Sequence, residues 1–208
     1  VAANTANGAF LNSSATAASI TANADLTANL TINATGNITA TRLIGLAAPR
    51  TITKLGNGTL TTNGNSHNNL SIWDIQAGKV VLANTSGYGA DRGVTLNGGT
   101  LQLSGSNSDL VNDGQSFTIN TGTFDLNGKG EAVASIGGSG GTITNGSATT
   151  ATLYVGGGSG GSSTASYGGV IQNGTGTLNL TKEGTGTQTL TGTNAYSGNT
   201  TVNGGVLQ

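Results

Sequence analysis

The chain has 208 residues and a formal net charge of −1; 34% of its residues are hydrophobic, 4% aromatic and 7% charged. A near-neutral chain lacks the basic stripe that nucleic-acid binding requires and the positive charge that holds proteins on anionic membranes. Without cysteine it can form neither disulfides nor thiolate metal sites. The longest apolar stretch, residues 43–49, is far shorter than the roughly 20 residues of a membrane helix, so we expect no membrane insertion by this segment.

Two features of the sequence fit an exported protein. Val1 is not a start methionine, and no basic segment precedes an apolar one, so we expect any signal peptide to lie outside this chain. The lack of cysteine avoids oxidation during export. With one proline and little net charge, the chain also lacks the composition of a disordered segment, and we expect one folded domain over residues 1–208.

Short stretches of alternating polar and apolar residues follow one another along the chain. Residues 1–35 fit this pattern least and are predicted to be atypical N-terminal rungs or a cap. Beyond them the alternation predicts strands, each with apolar residues on one face and Thr, Asn or Lys on the other. The clearest strand stretches are TITKL (51–55), TLQLS (100–104), TFDLN (123–127), TLNLT (177–181) and TQTLT (187–191).

Glycine-containing turns separate the strand stretches, because glycine adopts the positive φ that tight turns require. The longest such segment is GGGSGGSSTASYG, residues 156–168, which we predict to be a flexible loop outside the regular structure.

The strand stretches recur at a regular interval. A Gly-X-apolar entry repeats at spacings of 22, 20, 21, 23 and 19 residues. A unit of this size cannot bury its own apolar face and must stack on its neighbours, which predicts a solenoid. The entries are GNI (36–38), GTL (58–60), GKV (78–80), GTL (99–101), GTF (122–124) and GTI (141–143).

Two longer segments also recur. TKLGNGT (53–59) returns as TKEGTGT (181–187), and LNGGTLQL (96–103) returns as INTGTFDL (119–126). All-strand repeats of this size suit a parallel β-helix with rungs about 4.8 Å apart, so the chain would make eight or nine rungs and a rod of roughly 40 Å. Two alternatives remain: Thr/Asn/Gly low complexity without a fold, and an antiparallel sandwich with similarly frequent turns.

From residue 134 onward the chain resembles the autotransporter-associated β-strand repeat of large bacterial surface and secreted passenger proteins. The family pattern is GTGTLTLTG-N-YSG-TTVNGGTLQ, and residues 175–208 match it best. The resemblance implies a right-handed parallel β-helix that is displayed outside the cell as a scaffold, and it does not fix a function. The matching positions are Gly184, Gly186, Gly192, Asn194, Tyr196, Ser197, Gly198, Thr200, Thr201, Val202, Gly204, Gly205, Leu207 and Gln208.

The acidic residues give little basis for catalysis. Stacked rungs bring residues about 20 positions apart into register, so Asp91, either Asp109 or Asp113, and Asp125 could line one edge. Enzymes that cleave polysaccharides need two or three carboxylates that converge in this way. We favour solvated turn residues instead, and we predict no catalytic residues.

Metal and cofactor sites are not expected either. Asp109, Asn112 and Asp113 offer oxygen atoms in one loop, but they lack the spacing of a calcium-binding loop. The single histidine, His67, has no partner in its NGNSHNN segment for a metal site or a catalytic triad. The glycine-rich segments are not followed by the Lys-Ser/Thr of a phosphate-binding loop.

The few aromatic residues divide into core and contact candidates. Phe117 and Phe124 fall in strand stretches and are predicted to be core residues. Trp73 is a candidate for stacking on a sugar or a partner, although a buried position is the favoured alternative. Tyr88 and Tyr167 lie in glycine-rich segments and are the better candidates for exposed contacts.

The last residues, Val206, Leu207 and Gln208, have the pattern of a strand without a polar cap, and we predict that they take part in end-to-end stacking. The leading hypothesis is a non-enzymatic structural or adhesive rod of a bacterial surface or secreted protein. Its partners would be further passenger sequence or another copy at its end, and a carbohydrate or a host or bacterial cell surface. The alternatives are a complete subunit that assembles head to tail into an extracellular filament, and a polysaccharide-degrading enzyme on a β-helix.

Overall fold

The computed structural model describes residues 2–4, 9–45, 48–64, 70–158 and 162–208. These residues form 21 short strands, and none of them belongs to a helix that could span a membrane. In chain order the strands are β1 (Ala2–Asn4), β2 (Ala9–Asn12), β3 (Ala18–Leu26), β4 (Leu30–Ala34), β5 (Ile38–Gly45), β6 (Arg50–Leu55), β7 (Thr59–Thr62), β8 (Ser71–Ile75), β9 (Lys79–Leu82), β10 (Val94–Leu103), β11 (Ser116–Asp125), β12 (Gly130–Val133), β13 (Ser135–Gly137), β14 (Thr142–Thr144), β15 (Ala151–Val155), β16 (Ala165–Tyr167), β17 (Val170–Ile171), β18 (Leu178–Lys182), β19 (Thr187–Leu190), β20 (Thr200–Val202) and β21 (Val206–Leu207).

Successive turns of the chain stack in parallel along three sides of a solenoid. Side 1 contains β2, β4, β6, β8, the first halves of β10 and β11, β13, β16, β19 and β21. Side 2 contains β3, β5, β7, β9, the second halves of β10 and β11, β14 and β17. Side 3 contains β12, β15, β18 and β20. The predicted parallel β-helix of eight or nine rungs is confirmed, and the antiparallel sandwich is wrong.

The Gly-X-apolar entries of the sequence fall into one column on side 2. Each apolar residue pairs with its counterpart one turn later, and all of them are fully buried. The predicted alignment of the repeats is therefore confirmed position by position. The column runs Ile38, Leu60, Val80, Leu101, Phe124, Ile143 and Ile171.

The core lies between the three sides and is built from the inward-facing residues of every strand. Phe117 and Phe124 are both fully buried, as predicted, and their rings stack with centroids 4.5 Å apart. Burial of one such side chain contributes about 1.5–3 kcal/mol, so the ladder of buried Leu, Ile, Val and Phe along the axis stabilises the stack.

Two long strands carry sides 1 and 2 around a corner without a break. β10 pairs with β8 through its first half and with β9 through its second half, and its register shifts between Asn97 and Thr100. The bend occurs at Gly98 and Gly99, where φ of Gly99 is +60° and a Cβ on Gly98 would lie 2.1 Å from the carbonyl oxygen of Gln76. Glycine is needed here because the two turns touch through their backbones.

The first turn differs from the others. β1 pairs antiparallel with β2, whereas the remaining strand pairs among the described residues are parallel. The Asn12 side chain is buried, and its amide donates to the carbonyls of Thr16 at 3.0 Å and Asn37 at 3.2 Å. A polar residue thus occupies an inward position near this end of the solenoid.

The glycine-rich segment that was predicted to be a flexible loop includes a strand. Within residues 156–168, β16 pairs in parallel with β19, and Gly156 and Gly157 are buried. Residues 159–161 lie outside the described part of the chain.

Candidate functional site

Two of the three aromatic residues that were proposed as contacts are buried. Trp73 is fully buried, and its indole Nε1 donates to the carbonyl of Gly89 at 3.0 Å, which confirms the core position. Tyr167 is also fully buried, so the prediction that it is exposed was wrong. The alternation of β16 turns its ring inward, and its hydroxyl donates to the carbonyl of Gly141 at 3.1 Å. Neither residue can stack on a partner.

A cavity on side 3 is lined by acidic and tyrosine side chains. One carboxylate oxygen from each of Asp109, Asp113 and Glu131 lies within 4.8 Å of the other two, and we call these three groups the carboxyl cluster. The cavity has a volume of about 320 Å³. Its lining residues are Ser108, Asp109, Asp113, Gly130, Glu131, Ala132 and Tyr154.

Glu131 is the buried member of the carboxyl cluster. The alternation of β12 points it inward beside the core, and it is 1% exposed. Its Oε2 accepts a hydrogen bond from the amide of Leu110 at 3.1 Å, and its Oε1 accepts one from the amide of Val111 at 2.8 Å. On its other side, the loop that contains these amides pairs with the preceding turn at an isolated bridge between Val111 and Ala90, where Leu110 and Asn112 make backbone hydrogen bonds to residues 89 and 90. Glu131 therefore takes over backbone pairing that a strand would otherwise supply.

The electrostatics of the cluster disfavour ionisation. Burial raises the pKa of Glu131 well above its usual range, and the nearby charges of Asp109 and Asp113 add to this effect. Burial and the neighbouring Asp113 raise the pKa of Asp109 to about 6. Burial and the same two aspartates also raise the pKa of Tyr88, which is partly exposed and hydrogen-bonded to Asp109. Like charges at this distance cannot all be ionised at little cost.

The other acidic residues considered from the sequence do not join this cluster. The Asp91 carboxylate accepts a hydrogen bond from the amide of Leu70 at 2.9 Å and from the side chain of Asn112 at 3.1 Å, and it lies 3.3 Å from the Arg92 Nε. It therefore connects three turns on the outside of the solenoid. His67 lies outside the described residues.

Asp125 lies on side 2, at the end of β11. Its carboxylate accepts hydrogen bonds from the amide of Gly146 and from the side chain of Gln102, both at 2.7 Å. The stacking thus brings Glu131 against Asp109 and Asp113, which share one loop, and leaves Asp91 and Asp125 in separate structural roles. Glu131 was missed by the sequence analysis, although its distance of 22 residues from Asp109 equals one repeat.

The segment after β15 folds back along the solenoid toward the carboxyl cluster. A Cβ on Gly157 would lie 3.3 Å from the Cβ of Ala132, in the preceding turn. Gly158 has φ of +63°, and a Cβ there would lie 2.8 Å from the Cβ of Asp113, one turn further back. The two glycines allow this close approach, so the backbone of this segment borders the loop that carries the cluster.

A second polar feature is a buried lysine at a corner of the solenoid. Lys54 lies on the core face of β6 and is fully buried, so the expectation that this lysine lies on the polar face was wrong. Its Nζ donates to the carbonyls of Leu55 and Gly56, both at 2.8 Å, and to that of Ala77 in the next turn at 3.3 Å. Burial lowers the pKa of Lys54 to about 8.

Lys182 repeats this arrangement in the second copy of the motif, at the corner after β18. It is 1% exposed, and its Nζ donates to the carbonyl of Glu183 and, at 3.4 Å, to that of Gly204 in the next turn. Burial lowers its pKa, and the Glu183 charge acts in the opposite direction. Each lysine joins two turns through carbonyls that a glycine corner leaves unpaired; we call this arrangement the lysine clamp.

The end of the solenoid carries the residues that were predicted to stack. Val206 on β21 is 49% exposed and Val202 on β20 is 52% exposed, whereas Leu207 is partly buried against the core. Gln208 is exposed, and its backbone exchanges hydrogen bonds with Gln188 and Leu190 in the preceding turn. The apolar side chains of this turn are thus accessible, and their role in stacking stays a prediction.

Comparison with known proteins completes the assignment of the repeat. Residues 180–208 match the family model of the passenger-associated-transport-repeat. The chain is also 37% identical over 152 residues to the adhesin BmaC autotransporter of Brucella suis biovar 1 (strain 1330). Residues 180–208, which also match the repeat pattern best in the sequence, thus carry the passenger-associated-transport-repeat. The resemblance seen in the sequence is therefore confirmed.

The match to the Brucella adhesin covers 72% of this chain but only 4% of that protein. The passenger repeat of this chain thus corresponds to a small part of a very long relative. No solved structure matches the chain.

Proposed function

We propose that this chain is a non-enzymatic structural segment of an adhesive passenger rod, displayed on a bacterial surface or secreted. The observation that carries the proposal is the parallel stacking on side 1, which runs from β2 to β21. Ten stacked strands at about 4.8 Å separate the first and last turns by roughly 40 Å. Such a segment serves to hold binding surfaces away from the cell, and the naming of a relative as an adhesin supports this role.

The carboxyl cluster is poorly suited to cleaving polysaccharides. The two carboxyl groups of a glycosidase stand about 5–5.5 Å apart in retaining enzymes and about 6.5–9.5 Å apart in inverting ones, and in both classes they must reach the substrate. Glu131 is only 1% exposed. Here three carboxylates lie within 4.8 Å, and Glu131 uses both oxygens to accept backbone hydrogen bonds. These contacts support a structural role for the acidic residues rather than an acid–base pair.

The proposal is tested by shape, adhesion and activity together. Small-angle scattering of the purified chain should give an elongated particle, and beads coated with it should bind glycan arrays or cell surfaces more than beads coated with a heat-unfolded sample. Incubation with pectins and glucans should release no reducing ends. Release of sugar that disappears in the Glu131→Gln variant would overturn the non-enzymatic assignment, and equal adhesion by folded and unfolded chains would overturn the adhesive one.

A second candidate function is assembly of copies of this chain head to tail into an extracellular filament. The exposed Val202 and Val206 favour it, because apolar side chains and strand edges at the end of a solenoid promote further pairing. Negative-stain microscopy and light scattering over a concentration series would show filaments that the Val206→Lys variant loses. Thr118→Lys adds the same charge on the outside of side 1 and should leave them intact. Filaments that persist in Val206→Lys, or monomers at all concentrations, would refute end stacking.

A further inference from the structure

The loop between β10 and β11, residues 104–115, is joined to β12 of the next turn through the carboxyl cluster. Its amides at Leu110 and Val111 donate to Glu131 of β12, and its own Asp109 and Asp113 lie against the same carboxylate. A buried glutamate therefore holds the loop by hydrogen bonds while two aspartates of that loop face it. The hydrogen bonds attract the loop to Glu131, whereas ionised aspartates repel the Glu131 carboxylate. The number of protons bound by the three carboxyls decides which effect is larger.

Among the described residues that contact the carboxyl cluster, none carries a positive charge that would offset the carboxylates. The guanidinium of Arg92 pairs with Asp91 in the preceding turn, with 3.3 Å between its Nε and the carboxylate. The charges that act on Glu131 are those of Asp109 and Asp113. Tyr154 also lines the cavity, and Tyr88 is hydrogen-bonded to Asp109. The charge of Asp91 acts on Tyr88, and Glu183 Oε2 would lie 3.7 Å from a Cβ on Gly157.

We propose that the carboxyl cluster is a proton-operated latch. With a shared proton it fastens the loop 104–115 to β12, and with all three carboxyls ionised it releases that loop. The latch is local, because it concerns only the contacts between the loop and β12. On its other side the loop keeps the backbone hydrogen bonds of Leu110 and Asn112 to residues 89 and 90, and Leu110 and Val111 remain in the core. The neighbouring β10 and β11 keep their own pairing when the loop opens.

The direction of the pH dependence follows from the pKa shifts. The fastened state raises the pKa of Asp109 to about 6 and that of Glu131 well above its usual range, so it keeps protons that the released loop would lose. A state that binds more protons is favoured at low pH. The loop is therefore most firmly held near pH 4 and is progressively released as the pH rises through about 6.

A proton fits this site better than a metal ion. Calcium takes six to eight oxygen ligands, whereas both oxygens of Glu131 accept backbone hydrogen bonds. The remaining oxygens come from Asp109 and Asp113. Sharing one proton between neighbouring carboxyls requires no further ligands.

Amide hydrogen exchange tests the latch directly. We expect the protection of Leu110 and Val111, corrected for the intrinsic pH dependence of exchange and measured with a chelator present, to fall at least tenfold between pH 5 and pH 8. The amide of Leu101, in the β10 ladder and fully buried, serves as an internal reference that should not change. Protection of Leu110 and Val111 that is equal at the two pH values would overturn the proposal.

Matched variants separate the latch from general effects of charge. Asp113→Asn removes one ionisable group and should reduce the pH-dependent loss of protection to less than threefold. Asp25→Asn makes the same substitution at an exposed position of β3 and should retain the full tenfold change. Asp109→Asn provides a second variant should Asp113→Asn fold poorly. A flat profile in Asp25→Asn, or calcium that raises protection tenfold at pH 5 and pH 8 alike, would overturn the latch in favour of a global or a metal effect.

Discussion

The two lysine clamps have the same sequence motif but stand at different corners of the solenoid. Lys54 lies near the end of β6, at the corner between sides 1 and 2, whereas Lys182 is the last residue of β18, at the corner between sides 3 and 1. In each, the lysine reaches the carbonyl of the next residue and a carbonyl one turn later. The motif is thus a corner unit that is independent of the side on which it occurs.

The two clamps differ in what lies above them. A further glycine corner covers the first clamp, since a Cβ on Gly99 would lie 2.5 Å from the carbonyl oxygen of Gly78. The second clamp supports the turn with β21, where Val206 is 49% exposed. The same contacts should therefore contribute more to stability at the first clamp, and variants made in pairs can test this.

The largest effect is expected from adding a methyl group at the corner glycine. Gly78 has φ of +68°, and a Cβ there would lie 2.3 Å from the carbonyl oxygen of Gly56 and 2.8 Å from the Lys54 Nζ. Left-handed strain costs about 1–2 kcal/mol and overpacking about 1–3 kcal/mol, so Gly78→Ala should lower the free energy of unfolding by about 3 kcal/mol.

Gly205 is the matching position in the second clamp, with φ of +65° and a Cβ that would lie 2.2 Å from the carbonyl oxygen of Gly186. Because its turn can shift more easily, Gly205→Ala should cost about half as much as Gly78→Ala. Urea unfolding followed by circular dichroism measures both values. Equal losses in the two variants would show that the surrounding turns do not matter.

Removing the ammonium group comes next in size. Lys54→Met keeps most of the side-chain volume but leaves the carbonyls of Leu55, Gly56 and Ala77 without their donor. Unsatisfied buried acceptors cost about 1–3 kcal/mol, so this variant should lose about 2 kcal/mol. Lys182→Met should lower the free energy of unfolding by about 1 kcal/mol. Thermal unfolding of the two variants shows whether Lys54→Met is the less stable. A more stable Lys54→Met protein would mean that desolvation of the charge outweighs its hydrogen bonds.

The smallest effect is a pH dependence of stability that belongs to the first clamp. Burial lowers the pKa of Lys54 from 10.5 to about 8, so between these values the unfolded chain binds more protons than the folded one. The free energy of unfolding should then rise between pH 8 and pH 9.5. Lys54→Met should reduce that rise and Lys182→Met should retain the part due to Lys54. Urea unfolding at pH 8 and pH 9.5 measures this rise in the free energy of unfolding. An equal rise in Lys54→Met and in the unsubstituted chain would contradict its assignment to Lys54.

Much of the fold follows from period and alternation alone. The repeated Gly-X-apolar entry identified a column of buried residues on side 2, and the strand stretches near residues 51–55, 100–104 and 187–191 are strands in the structure. These features depend on local alternation and on stacking of similar units, which a sequence displays directly.

The buried polar groups could not be predicted as readily. Lys54 and Glu131 occupy core positions of alternating strands, where composition favours an apolar residue, and each is held there by backbone groups of a neighbouring turn. Tyr167 was placed on the surface because of its glycine neighbours, yet a carbonyl 26 residues away accepts its hydroxyl. Such partners are set by how one turn lies on the next, and no local pattern reveals them.

The bend of β10 and β11 gives the rod an uneven resistance to force. At the corners between β4 and β5, β6 and β7, and β8 and β9, a short turn instead separates the strand on side 1 from the strand on side 2. β10 and β11 carry strand across the corner in two successive turns and pair with each other on both sides of it. A sideways load on the solenoid should therefore bend it in the turns before β10 and after β11. When the chain is pulled, these two strands should unfold last.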